Sequence, residues 1–291
     1  MSKRGGKRGL KNKGTHTLTL VITKKICPKS KRSQVTIFII IGMLIVASIA
    51  LFLVARSGII PQLQWKGATS PESFLETCLQ DKIRESEKII LKQGGYINNE
   101  NSPTKDFLFE GESTATKVSY LCYSGENYFQ CVNQEPLLFQ HIEDEIKDYI
   151  SDDVRDCFED LKDSLRKQGY QITNDEYNNF DVQIKSDRIS VDINAEITMT
   201  KADDTSNYKN FKVETASKIY ELILVVQEAV NKEAADCDFN YVGYMLLYPK
   251  FEIEQFLTRD SSKIYSVRLK GSDEEFRFAV RGCVTPPGWV E

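Results

Sequence analysis

The residues best suited to chemistry in this 291-residue chain are its seven cysteines. Cys27 stands alone near the N-terminus, and Cys78, Cys122, Cys131, Cys157, Cys237 and Cys283 follow at wide spacing. No CxxC occurs, and beyond residue 16 the only histidine is His141. Zinc sites need clustered thiolates and imidazoles, so neither a metal nor a cofactor is expected. Six well-spaced cysteines read instead as three disulfides in an oxidising compartment. Other chemistry is sparse. The chain has no HExxH, GxSxG, Walker loop or GxGxxG, so no catalytic residue is assigned and an enzyme is not expected. His141 stands beside acids at a helix start, with no nucleophile or orienting partner indicated, and reads as an ordinary surface histidine. Asp152-Asp153, Asp203-Asp204 and Asp273-Glu274-Glu275 lack the alternation of a calcium loop and read as solvated faces. No Asn-x-Ser/Thr glycosylation site is present.

The elements that must position these cysteines begin after Val35–Val54, a stretch with no charge, no proline and one glycine, Gly42. Twenty helical residues at about 1.5 Å each span roughly 30 Å, the hydrocarbon thickness of a bilayer. Residues 1–33 form a basic tail with no acid, and the first acid in the chain is Glu72. Basic flanks stay cytoplasmic, so the expected topology is a single pass (34–55) with the N-terminus inside and the C-terminal part outside. The partner implied is the lipid bilayer, through Val35 to Val54. A start of synthesis near Val21 or Lys31 is an alternative for the tail. Beyond Pro71, the other 25 basic residues face all 42 acidic ones, a net of −17. That charge argues against nucleic acid and anionic lipid as partners of the outer part. Surface protein partners or self-assembly stay open.

The expected organisation continues with a linker over 56–70, a folded domain over 71–283 and a loose tail over 284–291. Ser70-Pro71-Glu72 is a helix start, and Phe74, Leu75, Cys78, Leu79, Ile83 and Ile90 keep helical spacing up to Gly94-Gly95. Residues 98–117 are turn-rich. Val118–Tyr123 and Tyr128–Val132 read as a hairpin that sets Cys122 opposite Cys131. Leu138 to Gln168 reads as a long helix with Cys157 on its apolar face. Cys78 and Cys157 each look inward from a helix, which suggests a bridge between them. Phe180–Ile184 and Ile189–Met199 alternate as two antiparallel strands, with a polar loop over 201–208 and a short strand at Phe211 and Val213. Thr215 to Ala235 is a third helix. Lys263–Leu269 and Phe276–Cys283 form a closing hairpin, and Cys237 pairs with Cys283 by elimination. The expected fold class is α+β: one transmembrane helix, then a disulfide-stapled domain of long helices packed on an antiparallel sheet.

Lys31 to Gly42, KRSQVTIFIIIG, resembles the N-terminus of a group of uncharacterised archaeal single-pass membrane proteins. Those begin with a basic residue followed by Gln-x-Thr-Ile-Phe-Ile-Ile-Ile-Gly. Cys78-Leu79, Gln93-Gly94-Gly95-Tyr96-Ile97, Cys157 and Phe276-Arg277-Phe278-Ala279-Val280-Arg281-Gly282 are similar to the same group. The resemblance implies no activity. The start is also similar to an archaeal pilin-type signal, which would place a cleavage between Ser33 and Gln34, although Phe38 stands where such pilins carry Glu. Three functions follow as expectations. The first is a membrane-anchored cell-surface structural or binding protein. The second is a pilin-like subunit processed near Gln34. The third is a surface hydrolase, which only a cluster of acids with perturbed pKa in a cleft would favour.

Overall fold

The computed structural model describes residues 40–45 and 70–285. Of Val35–Val54, only residues 40–45 are therefore described. They are helical, with Ile40, Ile41, Met43 and Leu44 exposed. The rest of that segment, the basic tail, most of the linker and the end of the C-terminal tail lie outside the described residues. Among the described residues, no helix is long and apolar enough to cross a membrane.

Helix α1 (Pro71–Gln93) starts where the Ser70 side chain accepts the Ser73 N–H at 3.3 Å and proline occupies the first turn. It ends at Gly94, whose φ of 77° is left-handed. A Cβ there would also meet Ser119 O at 3.1 Å, so the close approach and the backbone both need glycine. Helix α2 (Leu138–Lys167) buries Ile142, Ile146, Ile150, Val154, Leu161 and Leu165 along one stripe. Lys82 near the middle of α1 lies 4.0 Å from Asp153, while Ile97, past the end of α1, donates to Glu145 at 2.7 Å. The two helices therefore run antiparallel.

Two sheets flank the helices. Strands β4 (Gln171–Lys185), β5 (Arg188–Lys201) and β6 (Asp204–Ala216) form an antiparallel meander. Its register sets Val182 beside Val191 and Val191 beside Val213. The second sheet is mixed, with order β1 (Thr104–Phe107), β2 (Thr116–Tyr123), β9 (Glu275–Arg281), β8 (Lys263–Leu269), β7 (Phe251–Leu257); β3 (Val132–Asn133) pairs with β2. The β2–β9 pair is parallel, so the last strand closes beside an early one. Helices α3 (Ile219–Asp236) and α4 (Tyr241–Leu247) connect the meander to β7. One continuous core joins α1, α2 and α3 to both sheets. A smaller cluster of Phe109, Val118, Tyr120, Ile264 and Ala279 is separate from it and belongs to the mixed sheet and the β1–β2 loop.

The architecture is α+β with mainly antiparallel pairing, but the expected single antiparallel sheet is two sheets, one of them mixed. The 201–208 loop shrinks to a turn at Ala202 and Asp203, and β6 takes up most of it. Polar residues hid that strand because its first seven residues, Asp204 to Asn210, bury no side chain and so show no apolar alternation. Thr215 belongs to β6 and not to α3. β1 lies within the turn-rich 98–117. Val284 is buried where a loose tail was expected.

Candidate functional site

The three disulfides bring together Cys78 with Cys157, Cys122 with Cys131, and Cys237 with Cys283, at Cα separations of 6.0, 5.2 and 6.0 Å. The first ties α1 to α2. The second does not follow the expected register: Cys122 faces Asn133 and Tyr123 faces Val132, so Cys131 sits in the loop before β3. The third ties the end of α3 to the residues after β9. Three such bonds mark an extracytoplasmic or secreted domain.

His141 is largely shielded from solvent, not an ordinary surface histidine. Its ring packs edge-on against Tyr96 at 4.4 Å, Nδ1 lies 3.7 Å from Glu135, and Nε2 is buried without a partner. Tyr96 also donates to Glu135 at 2.5 Å. Burial, reinforced by that carboxylate, pushes the Tyr96 hydroxyl well above its ordinary pKa. This trio joins the α1–β1 loop to the start of α2 and, with the imidazole largely buried against Tyr96, reads as packing.

One site that combines perturbed acids with an opening is a cleft of about 240 Å³. Its wall is α1, through Arg84, Glu87, Lys88, Leu91 and Lys92, and its opposite side is Ala216 and the β8–β9 turn, Asp273 to Glu275. Helical spacing puts Arg84, Lys88 and Lys92 in one row, with Leu91 and Glu87 turned further inward. Glu87 is 5% exposed. The Ser217 hydroxyl donates to it and in turn accepts the Ile219 N–H at 3.0 Å. Burial pushes the Glu87 carboxyl up to about 7; the Ser217 hydrogen bond opposes the rise and the neighbouring Glu274 carboxyl adds to it.

The neighbouring acids are held by other partners. The Lys218 N–H, at the start of α3, donates to Glu274 at 2.7 Å. Burial raises the Glu275 carboxyl, but Arg277 and Ser266 outweigh it and hold it below the ordinary value. Arg277 lies 2.8 Å from Glu275 and 2.7 Å from Glu112, with its guanidinium 3.8 Å above the Phe109 ring. The cleft thus sets a buried acid whose carboxyl is raised, Glu87, beside a second carboxyl, Glu274. Ser217 is buried and committed to Glu87, so it orients that carboxyl and is not placed to attack a substrate.

None of these residues stood out in the sequence. Glu87 occupies an inward position of an amphipathic helix, between Ile83 and Ile90, and a charged residue on that stripe is the one signal that pointed to it. Glu274 and Glu275 belong to a run expected to be solvated; the fold instead sets them against α1 and α3. Among the described residues, no group of His, Cys, Asp or Glu is arranged to hold a metal ion. No family model, curated protein or solved structure matches this chain.

Proposed function

We propose that this chain is a membrane-anchored cell-surface binding protein that displays its disulfide-stapled domain outside the cell. The observation that supports this most is the chain's asymmetry. All six bonded cysteines follow the apolar stretch Val35–Val54, while residues 1–33 are basic and free of acids. The apolar stretch is the anchor, and the cleft at Glu87 is where a small ligand binds. Protease added to intact cells then digests the chain beyond Trp65. A fully protected domain would overturn this topology.

The carboxyl pair favours a second reading, acid–base hydrolysis at the same cleft. Burial raises Glu87 toward neutral pH beside a second carboxyl, Glu274, which places a proton-transferring acid in the cleft, as such a reaction needs. A panel of chromogenic esters, glycosides and phosphomonoesters tests it. Turnover that disappears in both Glu87→Gln and Glu274→Gln supports hydrolysis; turnover indifferent to both excludes this cleft. The pilin-like reading rests on the resemblance around Gln34. A mature N-terminus at Gln34 would move it ahead of permanent anchoring.

A further inference from the structure

The outward stripe of α3 is Leu224, Glu228, Asn231, Lys232, Ala235 and Asp236, all exposed. An unusual amount of apolar surface flanks it on both sides. On one side Gln130 donates to Ala235 O at 2.7 Å and Asn133 to Asn231 at 3.3 Å, which sets the 128–137 loop against α3. That loop exposes Tyr128, Phe129, Val132 and Leu137. On the other side, Glu228, Lys232 and Asp236 face Gly243, Tyr244 and Leu247 of α4 across a groove of about 560 Å³. Helix α4 turns Tyr244 and Met245 toward the core but leaves Leu246 80% and Leu247 77% exposed, with Val242 beside them. Scattered exposed leucines are ordinary; two bands of them along one helix are not.

We propose that this face is the interface of a two-fold homodimer, with α3 packed antiparallel on the α3 of a second copy. The charge pattern favours a copy over an unrelated protein. Glu228 and Lys232 are one turn apart, so a two-fold axis crossing α3 near Val230 sets Glu228 against the partner's Lys232, and the reverse. The same axis lays α4 on α4 and the 128–137 loop on its counterpart. Residues 241–247, YVGYMLL, carry no charge, so that self-contact meets no like-charge repulsion. Within one chain Lys232 lies 3.6 Å from Asp236 with both side chains more than half exposed, a weak pair that is free to exchange. The outer edge of β7 is the poorer surface for self-association: α4 already covers part of it, with the Met245 sulfur accepting the Ile253 N–H at 3.2 Å. Its central Glu254 would stand opposite itself in an antiparallel pair.

Light scattering and sedimentation of the full-length chain in mild detergent, over roughly 1 to 100 µM, test the proposal. A reversible dimer is expected. Leu246→Ser with Leu247→Ser should weaken it by about a hundredfold; both side chains are exposed, so the fold is kept. Glu228→Lys alone should weaken it about tenfold, and adding Lys232→Glu should restore it, a rescue that a merely structural role would not produce. A monomer throughout the range overturns the proposal, as does a dimer insensitive to the leucine pair or not rescued by the charge exchange.

Discussion

Glu87 links one residue to the pH response of the whole domain. Its folded pKa is raised from the ordinary 4.5 to about 7, so in that window the folded state holds a proton that the unfolded chain has released. Its favourable contribution is complete below about 4.5 and is lost as pH rises through about 7. The loss is on the order of 3 kcal/mol at most, from about 1.4 kcal/mol per pKa unit. Glu87→Gln keeps the uncharged form at every pH. It should leave the urea midpoint near that of the parent at pH 4.5 and raise it at pH 8; an equal effect at both would contradict the assignment. Glu233 is a buried acid with a lysine partner. It is 2% exposed and paired with Lys263 at 2.7 Å, and it also accepts from Tyr265. Truncating Glu233 to Ala leaves Lys263 without its carboxylate and should cost about 3 to 5 kcal/mol in thermal or urea unfolding. Glu252→Ala, which removes an exposed pair with Arg268, should cost less than about 1 kcal/mol.

Among the elements, the helices were the most legible in the sequence. Their apolar residues repeat at helical spacing, and Ser70-Pro71 and Gly94 announce the ends of α1 chemically. The strands were legible only where one face is buried. Ile189–Met199 alternates because its inward side meets the core, whereas Asp204 to Tyr208 and Thr104–Phe107 carry little apolar signal and read as loop or turn. The expected Cys122–Cys131 register slipped by two residues because the loop's closure depends on a parallel strand, β9, arriving from the far end of the chain. The cleft was illegible for the same reason: α1, the start of α3 and the β8–β9 turn meet there from positions some 190 residues apart in sequence. Long-range closure also ranks the staples. Cys78 and Cys157 are separated by 79 residues, and Cys122 and Cys131 by 9. Loop entropy gives about 4.5 kcal/mol for the first and about 2.6 kcal/mol for the second. Serine replacement of Cys78 and Cys157 should therefore lower the urea midpoint more than replacement of Cys122 and Cys131. The reverse order would show that the short staple holds native geometry rather than restricting the unfolded chain.

For the whole molecule, charge, apolar pattern and cysteine placement agree. Basic residues precede Val35–Val54, and acids and disulfides follow it. A net charge of −17 beyond Pro71 suits a domain kept soluble outside the cell. The central proposal is that this domain stands on the oxidising side of a membrane with its six cysteines paired and Cys27 left on the reducing side. The most direct test counts thiols in the chain isolated from native membranes. Denatured without reductant, it should take up one alkyl label, at Cys27; after reduction it should take up seven. Seven labels before reduction would contradict both the staples and the compartment.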